Sequence, residues 1–142
     1  MNREIGIATN QEQSQRLIAC GVDPKCADFV WMENKPNPRL TLRTEIIEDS
    51  NPYIVAFGWS MSALIAMLPT YLTSAMGNKY MLELSKLRMH NAWEVQWFNG
   101  RERLRTVDKD KKYHKLWDES PIEACVKAIE WLTANGYNFN EK

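Results

Sequence analysis

Hydrophobic and polar positions alternate most regularly in the middle of the chain. Tyr80, Leu82 and Leu84 are interleaved with Met81, Glu83 and Ser85, and Trp93, Val95 and Trp97 with Glu94 and Gln96. This is the two-residue period of half-buried strands. His90-Asn91 falls between the two runs as a turn, and Asn99-Gly100 is the favoured pair for a two-residue hairpin, which predicts a third strand. In that register Phe98 faces Arg101, Gln96 faces Arg103 and Glu94 faces Arg105. The expected meander therefore has an aromatic inner face, where Trp93, Val95 and Trp97 meet Leu104 and Thr106, and an outer face carrying three arginines.

Helical spacing flanks these strands. Ser120-Pro121-Ile122-Glu123 is a capping box with proline at its preferred first position, Ile122, Cys125, Val126, Ile129 and Leu132 form one apolar stripe, and Asn135-Gly136 stops the helix. Upstream, Met61, Leu64, Ile65 and Leu68 recur at helical spacing, with Ser62 as N-cap and Pro69 as terminator. Near the start, Thr9-Asn10-Gln11-Glu12 reads as a capping box and Gly21 as the end of a helix. Asp23-Pro24 then predicts a second, short helix with Cys26, Phe29 and Val30 on one face. These two are expected to form a helical hairpin over residues 1–33. Two prolines and two asparagines in 34–38 begin an irregular connection over 34–59, in which Leu40, Leu42 and Ile46 hint at a strand. The expected fold is α+β, with a three-stranded antiparallel meander packed against helices. A helix-strand-strand-strand-helix unit over 60–136 follows the N-terminal hairpin within a single domain, 1–142.

Composition fits a chain that folds without staples. Its 142 residues, 44% of them hydrophobic and with six tryptophans, can build a sizeable core. Basic and acidic residues balance at 18 each, so no global field attracts nucleic acid or anionic lipid. Ser50 to Asn78 carries no charge, which raises the question of a membrane span. Pro52 and Pro69 bracket the run and Gly58 and Ser60 divide it, so a buried extended segment followed by a short helix is expected instead. Cys20, Cys26 and Cys125 form no C-x-x-C pair and have no nearby histidine, which argues against a disulfide framework or a zinc site. With no signal-peptide pattern in the first residues, a cytoplasmic location without membrane contact is expected.

Three segments together carry a resemblance: Glu12-Gln13-Ser14 through Gly21-Val22-Asp23 to Ala27-Asp28, Trp59-Ser60-Met61-Ser62-Ala63-Leu64 to Leu68-Pro69, and Ser120-Pro121-Ile122-Glu123-Ala124 to Asn135-Gly136-Tyr137. The chain resembles a group of short uncharacterised proteins encoded in gut-bacterial genomes and their prophages. Its later part is similar to small phage proteins described as α-β-α sandwich domains. The resemblance implies a mobile-element context and brings no activity with it, because its motifs are caps, stripes and turns.

Candidate chemistry is sparse. The two histidines, His90 and His114, fall in a turn and a charged loop, so no catalytic residue, metal ligand or cofactor is assigned. The three cysteines are expected to pack as small apolar groups. Glu83 and Glu94 share a strand face but have basic neighbours, an ordinary cross-strand pattern. Residues 101–115 hold seven basic side chains against three acidic ones. Arg101, Arg103, Arg105, Lys111 and Lys112 beside Phe98 form a candidate nucleic-acid surface. The order helix, three strands, helix also matches double-stranded-RNA-binding domains in outline, but the last helix opens Pro121-Ile122-Glu123, which repels phosphate. Trp131 lies off the apolar stripe of its helix and, with Trp117, is a candidate protein interface or homodimer seam. The leading expectation is a small non-enzymatic accessory or adaptor protein working through protein contacts; nucleic-acid binding is the alternative.

Overall fold

The computed structural model describes residues 6–34, 37–45, 53–107 and 110–137. In chain order these give α1 (Gln11–Ala19), a 3-10 turn (Pro24–Cys26), β1 (Phe29–Met32), β2 (Arg39–Leu42), a second 3-10 turn (Arg43–Glu45) and β3 (Ile54–Gly58). There follow α2 (Met61–Met67), β4 (Tyr71–Thr73), β5 (Lys79–Leu87), β6 (Ala92–Asn99), β7 (Glu102–Arg103), β8 (Trp117–Asp118) and α3 (Pro121–Ala134). The fold is mixed α+β with antiparallel sheets. A small sheet has the order β2-β1-β3, and a larger one runs β4-β5-β6-β7 with β8 also on β6.

The N-terminal helical hairpin is corrected. Asp23 does cap, accepting a hydrogen bond from the Lys25 amide, but the helix it starts is a single 3-10 turn. Phe29 and Val30 then enter a strand, where the run Phe29-Val30-Trp31-Met32 pairs with both β2 and β3. Four adjacent apolar residues suit a strand buried on both sides, and periodicity alone does not separate that from a helix. The connection expected to be irregular thus holds two strands, with Leu40 and Leu42 in β2; Ile46 lies outside the described residues. The capping positions also move. Asn10 rather than Thr9 caps α1, in a reciprocal box with Gln13, and Ser60 rather than Ser62 caps α2. Thr9 is buried instead, its hydroxyl within 2.8 Å of the Ser14 hydroxyl and accepting from the Trp59 amide.

The best-marked elements stand where the patterns placed them. β5 and β6 pair from Met81↔Phe98 to Leu87↔Ala92, and Asn91 takes the left-handed φ of 44° that their tight turn requires. α3 begins at the Ser120 cap with Pro121 in its first turn, and Gly136, at φ 88°, follows its end. Its stripe of Ile122, Cys125, Val126, Ile129 and Leu132 is buried. That stripe packs with Val95, Trp97 and Tyr80 from one face of the larger sheet, with Leu64 and Leu68 around α2, and with Leu17 of α1. Arg16 ties α1 to α3: its guanidinium donates to both carboxylate oxygens of Glu123, at 2.7 and 2.9 Å, and also pairs with Glu130. These hydrogen bonds raise the Arg16 pKa further above its already high ordinary value.

Candidate contact surface

One face of the larger sheet is taken by the helices, and the functional question concerns the other. Side chains alternate across a sheet, so pairing register decides which residues share a face. Tyr71 pairs with Met81, Met81 with Phe98, and Phe98 with Arg103. These four residues form a single row across β4, β5, β6 and β7 on the face turned away from α3. Tyr71 and Met81 are 52% and 53% exposed. The next row on that face is Glu83 with Gln96, and the one after it Ser85 with Glu94 and Trp117. Two cations lie against the aromatic members of the first row: Lys79 over the Tyr71 ring at 5.0 Å, and Arg103 over the Phe98 ring at 5.4 Å.

The hairpin that carries Arg103 turns one residue later than Asn99-Gly100 suggested. Phe98 pairs with Arg103 and Asn99 with Glu102, so Gly100-Arg101 form the loop, and Gly100 has φ 60°. The shift is two residues, which preserves the faces but breaks the predicted Gln96–Arg103 and Glu94–Arg105 pairs. It also shortens the third strand to Glu102–Arg103. Arg101 sits in the turn and Arg105 beyond the strand, both exposed, while Lys111 and Lys112 are exposed in the loop that follows. The structure therefore brings Phe98 and Arg103 together and leaves the other candidate cations around them.

The outer face is less wet than its polar residues implied. Glu94 is only 2% exposed and Gln96 is also buried. Arg103 donates to Glu94 Oε2 at 3.0 Å, and Oε1 is buried without a hydrogen-bond partner. Lys86, three residues after Glu83 in β5, lies over the Trp93 ring on the opposite face. The reading of Glu83 and Glu94 as an exposed, compensated pair is thus corrected: Glu83 is exposed, but Glu94 belongs to the interior.

The tryptophan expectations are corrected in part. Trp131 is 9% exposed, packs against Trp97 at 6.2 Å and donates from Nε1 to the Val107 carbonyl at 3.3 Å. It is covered by the segment after β7 and by the larger sheet, so it is no surface anchor. Trp117 is half-buried, stacked on His90 at 5.3 Å with the Lys115 ammonium 5.3 Å from its ring. His114 is half-buried and donates from its backbone amide to Thr106. Among the described residues no group of three or more His, Cys, Asp or Glu could hold a metal ion. Cys125 is buried, and burial pushes its thiol up to about 12; burial also raises Cys20. Cys26 departs from the expected core packing, being exposed and accepting from Trp59 Nε1 at 3.3 Å.

Two clefts are apolar and shallow. One of about 270 Å³ lies between α1 and β3, lined by Ile18, Val55 and Phe57 among others; one of about 230 Å³ runs beside α2, lined by Ile65, Leu84 and Val95. The Cys125 thiol, in the second, is the one ionisable side chain among their lining residues. Tyr71, Lys79 and Met81 were missed as site residues. A signal for them existed, since Tyr71-Leu72-Thr73 after Pro69 is strand-forming, but their meeting with Phe98 depends on pairing between strands. No helix of the described residues is long and apolar enough to cross a membrane. No protein-family model matches the chain, and no curated protein or solved structure matches it.

Proposed function

We propose that this chain is a small non-enzymatic accessory or adaptor protein that holds a protein partner on the exposed end of the outer face of its larger sheet, around Tyr71 and Met81. The observation that carries the reading is the cross-strand row Tyr71, Met81, Phe98, Arg103. Aromatic residues, methionine and arginine are the types enriched at the centres of protein interfaces, whereas lysine, glutamate and aspartate are depleted there. A half-exposed tyrosine and methionine beside a partly buried phenylalanine on rigid strands offer contact area at little cost in side-chain ordering. The balanced charge of the whole chain fits a partner recognised by shape and apolar contact. The resemblance to prophage-encoded proteins supports a setting in a mobile element.

Photo-crosslinking tests this reading. A photoreactive amino acid at position 81 should yield a discrete conjugate in producing cells, while the same group at the exposed Ala134 should not. Equal labelling from both positions, or none from 81, contradicts it.

Single-stranded nucleic acid is the second reading, favoured by the two cations lying on aromatic rings of the row. It requires binding that falls steeply with salt and weakens when Arg101, Arg103 and Arg105 are neutralised together. Salt-insensitive or absent binding to short oligonucleotides rules it out.

A further inference from the structure

We infer that the last part of β5 is a docking edge for an extended segment of another protein, which joins the larger sheet as a strand in line with β4. This edge is separate from the contact proposed around Tyr71 and Met81. β4 covers β5 only from Lys79 to Met81, and one more backbone bond, from the Leu82 amide to the Thr70 carbonyl at 2.8 Å, ends the pairing. Pro69, before Thr70, has no N–H to continue it, and the chain there comes from α2. β5 itself runs on to Leu87, paired among the described residues with β6 alone.

The direction of the free backbone groups follows from that register. Successive residues of a paired strand turn their N–H and C=O groups to opposite neighbours. Leu82 bonds toward β4, so Leu84 and Lys86 turn theirs the same way, where no described strand meets them. Two donors and two acceptors at this spacing match another extended backbone. Beside this edge opens the cleft of about 230 Å³ along α2, bounded by Ile65, Leu68, Leu84 and Val95, and Ile65 is 40% exposed.

Side-chain alternation then sets the chemistry of the occupant. In a segment antiparallel to β5, the residue opposite Leu84 points to the inner face, over the apolar cleft. The next residue, opposite Glu83, points to the outer face. Glu83 is exposed there and pairs with no cation among the described residues, so a basic side chain complements it. The occupant is a strand-forming segment in which an apolar residue is followed directly by lysine or arginine. A second copy of this edge does not supply that pattern. Two-fold pairing about Ser85 sets Lys86 over each cleft, pairing about Lys86 opposes like charges, and pairing about Leu84 runs into β4.

The test is selection from a phage-displayed library of random decapeptides on the immobilised full chain, followed by amide hydrogen exchange with the enriched peptide in synthetic form. Enriched sequences should carry the apolar-basic pair, and the bound peptide should slow exchange of the Leu84 and Lys86 amides at least ~tenfold. Lys86→Pro removes one outward N–H, leaves the bonds between β5 and β6 in place, and should weaken binding ~tenfold. Glu83→Lys should change the selected residue from basic to acidic. Both positions are exposed, and circular dichroism checks the fold of each variant. If Lys86→Pro fails to fold, the exchange data and the Glu83→Lys selection decide. No enrichment overturns the inference, as does a bound peptide that leaves the Leu84 and Lys86 amides unprotected. A peptide lost with Met81→Asp but indifferent to Lys86→Pro overturns the edge and supports the contact around Tyr71 and Met81. Protection of the same two amides in the concentrated chain alone assigns the edge to a second copy and also overturns the inference.

Discussion

Replacing Arg103 by alanine isolates the least ordinary feature of the larger sheet. The change strips the Glu94 carboxylate, 2% exposed, of the hydrogen bond to Oε2, while Oε1 already has none. Breaking a fully buried pair costs about 3–5 kcal/mol. The Arg103 side chain is nearly half-exposed, so water screens the pair and the loss falls to ~1–2 kcal/mol. The lost contact over the Phe98 ring adds ~0.5 kcal/mol. Arg103→Ala should thus destabilise by about 2 kcal/mol, lowering the melting temperature by roughly 6 °C for a chain of this size. Glu94→Gln keeps the shape, removes the buried charge and should change stability by less than ~1 kcal/mol. In the Glu94→Gln background, Arg103→Ala should cost only ~0.5–1 kcal/mol, giving a coupling of about 1–1.5 kcal/mol. Urea unfolding of the four proteins, with unchanged m-values, measures the cycle. A coupling under ~0.3 kcal/mol would show that Arg103 and Glu94 act independently, and the buried-pair reasoning would be wrong.

Four further outcomes follow from the packing. Arg16→Ala should cost about 2 kcal/mol in chemical denaturation, because the paired Glu123 and Glu130 carboxylates lose their shared partner between α1 and α3; a change under ~0.5 kcal/mol contradicts this. Trp131→Ala should cost ~3–5 kcal/mol, as for a core aromatic, and should change the near-ultraviolet dichroism through loss of the Trp97 contact; a surface-like cost under ~1 kcal/mol would return Trp131 to the exterior. Thiol reagents should label Cys26 first and Cys125 only on unfolding. The Cys125 thiol is raised to about 12 in the folded chain, so the unfolded thiol ionises first. Stability should therefore fall as pH rises from about 9 toward 12, and Cys125→Ala should flatten that slope.

Local signals carried the elements that are set locally. The Ser120 cap, the proline after it and the apolar stripe describe α3 almost residue for residue, and alternation placed β5 and β6. The misreadings came where pairing partners are distant in sequence. Asp23-Pro24 starts a 3-10 turn as readily as a helix, and only pairing with β2 and β3 shows that Phe29-Val30 continues as a strand. Trp131 lies off its helix stripe, yet Val107 and Trp97 approach from another side, which helical periodicity does not encode. Alternation alone puts Glu94 and Gln96 on a wet face, whereas at these two positions the central strand β6 is buried on both faces. The candidate site was half legible for the same reason: Phe98 and Arg103 are close in sequence, while Tyr71 and Met81 join them only through the register of three strand pairs.

The contact role of the open face can be read from its methionine. Met76 and Met89 are 88% and 91% exposed and lie in turns, whereas Met81 is 53% exposed in the centre of the row. Oxidative footprinting compares the three side chains in producing cells and in dilute purified protein. If the face is occupied in the cell, Met81 oxidation should slow at least ~fivefold relative to Met76 and Met89, in line with near-complete burial of an interface centre. Unchanged relative rates between cell and dilute solution would contradict the account, because they would leave Met81 as open in the cell as in the isolated chain.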